Sequence, residues 1–285
     1  MSNRLKYWII VFLASCNIGI FWYIAGQFSF DGLVLHFLDV GQGDSQLIVT
    51  KHARVLIDTG ASSRAANELD RIMPSGNRVI DMVLISHPNV DHFYGLIEIM
   101  KRYRVRLVIY SGVAADDAKF QNMLDEVRKK NIPILYARQG EELVWDGVRL
   151  KVLWPDFQFA IGESISDPKL NDTSLVTLLS YNNFDALFTG DISATIEKKL
   201  LGILSDIEVL KVAHHGSKYS TAESFVKALT PEIAIVSVGE NRYGHPSAEV
   251  LGRLRVFTKE IFDTLSRGTV TIISDGFGYE VSSRK

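Results

Sequence analysis

Several apolar runs in this chain end in histidine or aspartate, and that pattern limits the possible folds more than any other feature. Met82-Val83-Leu84-Ile85 leads into Ser86-His87-Pro88-Asn89-Val90-Asp91-His92. Three later segments place the same residue types just beyond apolar runs: Phe188-Thr189-Gly190-Asp191, Val212-Ala213-His214-His215-Gly216-Ser217 and Gly244-His245-Pro246. Short apolar runs bounded by turn residues read as buried strands. Imidazoles and carboxylates gathered at strand ends are what a metal site at a sheet edge requires. Neutral imidazole suits zinc, manganese or iron, and a carboxylate can bridge two ions.

The rest of the chain fits a mixed α/β body. Strands are expected over 33–40, 46–50, 54–58, 79–86, 148–153, 207–213, 233–238 and 269–274. A hairpin over 174–180 and 184–189 turns at Asn182-Asn183, a pair that tolerates positive φ. Helices are expected over 64–73, 93–101, 116–130, 196–204, 222–229 and 247–255. The 116–130 helix carries Phe120, Leu124 and Val127 on one face. Strands followed by strand–helix alternation, twice over, predict two sheets with helices outside. With 47% hydrophobic residues the chain can fill such a core. No Pro/Gly-rich linker divides the body, so residues 29–285 read as one domain, with a long polar loop over 155–173. The single cysteine, Cys16, excludes a disulfide framework and a thiolate cage. A net charge of −2 gives no global signature for nucleic acid and leaves a local basic groove open.

Residues 1–28 read differently. From Trp8 to Gly26 there is no charged residue. As a helix this stretch spans about 28 Å, close to a hydrocarbon core of ~30 Å. Arg4 and Lys6 precede it, and the next basic residue is Lys51. That asymmetry predicts a single-pass anchor with the N-terminus in the cytoplasm and the domain extracytoplasmic. A cleaved signal peptide, giving a secreted product, and a buried core helix are the alternatives.

Among the candidate site residues, His87, Asp91 and His92 stand closest in sequence and read as metal ligands. Asp191 reads as a bridging ligand, or else as the cap of the following helix. His214 and His215 alternate across the chain, so one suffices as ligand; His215 is favoured and His214 is left for substrate. His245 reads as a ligand, a proton donor, a phosphate contact or an ordinary loop histidine. Asp58 is placed to orient a ligating histidine. Gly41-Gln42-Gly43-Asp44-Ser45 shapes either a loop beside the site or a plain turn. Asn171-Asp172-Thr173-Ser174 reads equally as site or as an Asx-type turn. His36 and His52 read as structural or surface residues. Arg102, Arg104 and Arg106 alternate, so as a strand they share a face, usually a solvated one.

Together these segments resemble the metallo-β-lactamase superfamily, whose second motif is H-x-H-x-D-H on an αββα four-layer sandwich. Within it they are most similar to the hydrolase domain of the ComEC-type competence proteins. The resemblance rests on residues 37–45, 87–92, 171–176, 189–192, 210–217 and 241–246, and covers roughly 33–280. It implies a metal-dependent hydrolase, a phosphodiesterase or nuclease linked to DNA uptake. One or two divalent ions, zinc or manganese, would be held by His87, Asp91, His92, Asp191 and His215. Asp91, His214 and His245 would be catalytic. Asn89, Asp58, Asp44, Asn171 and Asp172 would be ligands or lie behind them. Ser217, Lys218 and Arg242 would meet substrate, with Lys211 and the Arg102–Arg106 face at the edges of a DNA groove. Asn89 replaces the second histidine of the motif and offers only a neutral carbonyl, which weakens one of two metal positions. ComEC-type proteins carry a multi-helix channel before this domain. One hydrophobic segment precedes it here, so any channel would be a separate partner. A hydrolase of small surface esters and a binding module without turnover are the alternative readings.

Overall fold

The computed structural model describes residues 8, 12, 15, 32–74, 76–156, 162, 164–165 and 169–285. The anchor expected over 8–26 lies outside the described residues except for Trp8, Phe12 and Ser15, as does part of the 155–173 loop. Among the described residues no helix is long and apolar enough to cross a membrane.

Two large sheets carry the fold. The first has eight strands in the order Tyr279–Arg284, Thr269–Ser274, Leu33–Phe37, Gln46–Val49, Arg54–Ile57, Met82–Ile85, Val108–Tyr110 and Ile134–Tyr136. The second has seven: Glu142–Trp145, Val148–Trp154, Val176–Tyr181, Phe184–Phe188, Val209–Lys211, Ile233–Val236 and Glu260–Asp263. Each sheet is antiparallel in one half and parallel in the other. The change falls at Arg54–Ile57, antiparallel to Gln46–Val49 and parallel to Met82–Ile85. In the second sheet it falls at Phe184–Phe188, antiparallel to Val176–Tyr181 and parallel to Val209–Lys211.

Side chains alternate across each strand, and the alternation sorts the apolar residues into layers. Leu33, Leu35, Phe37, Val55 and Ile57 of the first sheet meet Leu179, Ala186, Phe188, Ile233 and Ile235 of the second in one buried cluster. The opposite face of the first sheet, with Val83, Ile85 and Val108, packs on Leu69, Ile99, Phe120, Met123, Leu124 and Val127. Those residues come from the helices Arg64–Ile72, Leu96–Arg102 and Ala118–Lys129. The outer face of the second sheet, with Leu187, Leu210 and Ala234, packs on Ile196, Leu200, Phe225, Leu229, Val250 and Leu254. Their helices are Ala194–Leu200, Glu223–Leu229 and Ala248–Phe257. Helices, sheet, sheet and helices thus form four layers.

Some expectations are corrected. The 79–86 strand is two pieces, Val79–Ile80 and Met82–Ile85, because Asp81 turns aside to accept from the Arg54 backbone N–H at 2.9 Å and to pair with Arg106 at 2.7 Å. The arginines of 102–106 do not share a strand face. Arg102 ends a helix and pairs with Glu98 and Asp70, and only Arg104–Val105 is extended.

Candidate metal centre

The candidate residues lie beyond the carboxyl ends of the parallel strands, where open α/β sheets place their ligands. Asp58 follows Arg54–Ile57 and has φ +58°, uncommon for a non-glycine residue. The turn aims its buried carboxylate at the next loop. Oδ1 accepts from the Ser86 backbone N–H and Oδ2 from the Ser86 hydroxyl, each at 2.7 Å. Oδ2 also accepts from His92 Nδ1 at 2.8 Å. A carboxylate of this kind can only accept, so His92 carries its proton on Nδ1 and presents a lone pair at Nε2.

The other two imidazoles are fixed in the same sense. His215 Nδ1 donates to the Ser237 carbonyl at 2.9 Å. His87 Nδ1 lies 3.0 Å from Ser86 Oγ and 3.3 Å from Ser174 Oγ. Both hydroxyl protons are engaged elsewhere, on Asp58 and on the Asn171 carbonyl, so the ring nitrogen must donate. Nε2 of His87, His92 and His215 are all buried with no well-directed hydrogen bond, as is Asp191 Oδ1. Buried polar atoms normally find partners. Orphans that converge on one spot are what an ion-binding site looks like when only protein atoms are counted.

The larger of two close groups is Asp91, His92, Asp191 and His215, whose ligand atoms lie within 4.8 Å of one another. Asp191 Oδ2 is 3.2 Å from His92 Nε2 and 3.4 Å from His215 Nε2, and Asp91 Oδ2 is 3.3 Å from His215 Nε2. His87 stands beside this group, its ring centroid 4.1 Å from that of His92. Asp44, Asp58 and His92 form a second close set. There Asp58 is occupied by Ser86 and His92, and Asp44 by an ion pair with Lys211.

The charges ask for a cation. Asp44, Asp58 and Asp191 are buried and Asp91 is half-buried. Burial works against charge on His92 and His215, yet Asp191 with Asp58 holds His92 far above the usual histidine range. Asp191 with Asp44 does the same for His215. Burial pushes Asp58 up, whereas the two histidines overcome burial and hold Asp191 well down. Burial, then His92, lowers His87 to about 3. A divalent ion would supply the positive charge and leave the Nε2 atoms free to ligate.

Two glycines allow the close approaches. A Cβ on Gly43 (φ +135°) would strike the Asp91 carbonyl, and one on Gly190 (φ +55°) would meet Ser174 Cβ at 2.7 Å. His214 and His215 both have positive φ, +50° and +55°. The turn they form points His215 inward and leaves His214 partly exposed.

A cavity of about 320 Å³ opens over the group, lined by Gln42, Asn89, Asp91, Asn171, Asp191, His214, His215, Tyr243 and His245. Asn89 Nδ2 donates to Asn171 Oδ1 at 2.7 Å. His214 and His245 face each other with ring centroids 5.6 Å apart. Burial lowers the pKa of both.

Other expectations fare differently. Asp172 is not in this cavity; its Oδ1 accepts from the Ser193 N–H at 2.9 Å and caps a helix start. Ser217 is buried, while Lys218 and Arg242 are exposed. Lys211 is not at a groove edge. It is 1% exposed, donates to the Gly190 carbonyl at 3.1 Å and pairs with Asp44. Burial opposes its charge, and Asp44 and Asp191 more than offset that. Among the described residues no lysine or arginine lines the cavity. Sequence reasoning missed Ser237, whose carbonyl sets the His215 tautomer and which no pattern marks. It quoted Ser86, Ser174 and Asn241 only as members of motifs, without the roles of positioning the imidazoles and holding the His245 loop.

Comparison with known proteins agrees with this geometry. The family model of the metallo-beta-lactamase superfamily matches residues 38–240. ComE operon protein 3 of Bacillus subtilis is 30% identical over 255 residues, covering 82% of this chain and 32% of that protein. Recombination protein 2 of Haemophilus influenzae is 30% identical over 241 residues, covering 82% and 28%. The chain thus spans about a third of the length of these relatives. Among solved structures, the metallo-beta-lactamase fold protein YhfI from Bacillus subtilis matches with a TM-score of 0.56 at 10% identity, over 85% of this chain and 100% of that one. Igni18, a metallo hydrolase from Ignicoccus hospitalis, matches with a TM-score of 0.51 at 12% identity, over 88% and 100%. Strand-end ligands, paired sheets and sequence match agree, and the chain belongs to the metallo-beta-lactamase superfamily.

Proposed function

We propose that the protein is a metal-dependent phosphodiesterase that acts on DNA at the outer face of a cell membrane, held there by residues 8–26. The observation that carries the hydrolase reading is the convergence of buried, unpartnered Nε2 atoms on two carboxylates at the floor of an open cavity. DNA is favoured because the similar proteins are described as competence and recombination proteins.

Asp91, His92, Asp191 and His215 would hold the principal ion. His87, with the amide oxygens of Asn89 and Asn171 as neutral helpers, would offer a weaker second position. Zinc and manganese both suit this donor set. A bound divalent ion supplies Lewis acidity and lowers the pKa of water from 15.7 towards about 7.

The protein's own part is positional. Asp58 and Ser237 lock the tautomers of His92 and His215. Lys211 offsets the buried charge of Asp44 and Asp191. His214 and His245 line the cavity and are placed to deliver a proton to the leaving oxygen. Both are neutral near pH 7 without substrate, and a phosphodiester anion nearby favours their charged forms. Substrate binding and proton uptake are thereby coupled.

The test is cleavage of single-stranded DNA with manganese or zinc at two salt concentrations. Arg242, Lys218 and Lys169 are exposed and lie within three residues of cavity-lining residues in the sequence, so affinity should fall with salt at the slope of about one to three phosphate contacts, about −0.7 each. Hydrolysis of bis-p-nitrophenyl phosphate with no cleavage of DNA would replace the nuclease with a small-ester hydrolase. Bound metal without turnover of either substrate would leave a binding module.

A further inference from the structure

A file of rings runs from the buried metal centre to the surface. Centroids step from His92 to His215 over 5.6 Å, to His214 over 6.0 Å, to His245 over 5.6 Å and to Tyr243 over 5.7 Å. His92 and His215 are fully buried, His214 and His245 half-buried, and Tyr243 is 76% exposed. The last ring lines the cavity yet leaves most of its surface in water. A tyrosine normally buries ~150–250 Å², so one displayed at the mouth of a site is a surface waiting for a flat partner.

The loop beneath it is built to hold still. Asn241 Oδ1 accepts from the backbone N–H of Tyr243 at 3.1 Å and of His245 at 3.0 Å. Its Nδ2 donates to the carbonyls of Gly239 at 2.9 Å and His245 at 2.8 Å. One side chain thus fixes residues 239–245, and a platform already ordered loses little entropy when a ligand lands on it. Arg242, exposed beside Tyr243, adds a cation. On the loop that follows His215, Lys218 Nζ stands 5.2 Å from the Tyr219 ring centroid, and Tyr219 is also exposed.

The cavity on the other side has the opposite character. It shares Asn89 and Asp91 with the metal site and is lined by Asp116 and Asp117 among Val90, Ala115, Ile165 and Leu170. The carboxylates of Asp116 and Asp117 disfavour a polyanion on that side.

Resting on the reading of the site as a nuclease, we propose that Tyr243 is a stacking platform for a nucleobase near the scissile phosphate, with Arg242 on the adjoining backbone. The substrate is then a single strand, because inside a duplex the faces of each base are covered by its stacked neighbours. Stacking on an aromatic side chain tolerates any base, which suits an enzyme that degrades without sequence choice.

The experiment measures binding, with no turnover required. The full chain, in mild detergent and loaded with manganese, is titrated into a fluorescein-labelled phosphorothioate octathymidylate and into an abasic octamer with the same backbone. Stacking is worth about 1–3 kcal/mol per base, so Tyr243→Ala should weaken octathymidylate binding about 5- to 150-fold. Tyr243→Phe and Tyr243→Trp should stay within about threefold of the parent. All forms should bind the abasic octamer equally weakly. The platform is overturned if Tyr243→Ala binds octathymidylate as the parent does. It is also overturned if the parent binds the abasic octamer as tightly, or binds neither octamer. Cleavage of unmodified octathymidylate is read separately. Tyrosine-dependent binding without cleavage removes the nuclease reading alone, and cleavage with unaltered Tyr243→Ala binding removes the platform alone.

Discussion

Asp58 touches no reacting group in this arrangement, yet three of its contacts set the chemistry of its neighbours. It accepts from Ser86 twice and from His92 once, in a backbone conformation that costs energy to hold. Replacing Asp58 with Ala frees the His92 ring to rotate and to exchange tautomers. Zinc affinity, read by competition with a chromophoric chelator, should fall 10- to 100-fold, as is usual when a partner behind a ligating histidine is lost. Asp44 and Lys211 form a buried pair of another kind. Asp44→Ala takes the nearest carboxylate from a buried ammonium, leaving it the Gly190 carbonyl and Asp191 Oδ1 at 3.7 Å, and should cost roughly 3 kcal/mol in urea unfolding. The double variant Asp44→Leu with Lys211→Met should recover most of it. Asp58, Asp191 and His215 could be read in the sequence because each ends an apolar run with a residue that is costly to bury. Lys211 could not. It lies between Leu210 and Val212 in a strand whose two faces are both buried, so alternation does not say where its side chain goes.

The two strands at which the sheets change from antiparallel to parallel carry the carboxylates Asp58 and Asp191 just past their ends. The helix that follows Asp191 braces the histidine loop. Glu197 on that helix is buried and accepts from the N–H groups of Thr221 at 2.5 Å and Ala222 at 2.8 Å. Burial raises its pKa from 4.5 to about 7. A carboxyl group with a raised folded-state pKa favours the protonated form. Its contribution to stability is complete below pH 4.5 and is lost as pH rises through 7. Glu197→Gln removes that dependence. The melting temperature of the variant relative to the parent should therefore climb between pH 5 and 8 in a thermal scan. At this scale the sequence shows the central elements well and the rims poorly. The Phe120 helix and the Asn182 hairpin follow their periodicities. The rim strands Glu142–Trp145, Glu260–Asp263 and Tyr279–Arg284 escaped notice because charge dilutes their apolar signal. Ile134–Tyr136 at the rim and the buried interior strand Val108–Tyr110 carry no charge and escaped notice because each is only three residues long.

Across the whole molecule the metal centre joins the two sheets. Asp91 and His92 follow the first, and Asp191 and His215 the second. An ion held by all four binds the folded chain and not the unfolded one, and at a thousandfold excess over its dissociation constant it should add about 4 kcal/mol to stability. Chelation should lower the melting temperature by several degrees, and zinc or manganese should restore it. An unchanged transition would mean that the four groups do not share an ion. The division of ligands between the sheets has a further consequence for the cell that makes this protein. Asp91 and His215 are more than a hundred residues apart in the chain. A ribosome stalled at any codon before 215, or a protease that clips the second sheet away, leaves a fragment with an incomplete set of ligands. If the intact enzyme cuts DNA, its unfinished and damaged copies are disarmed by the order in which the chain is written.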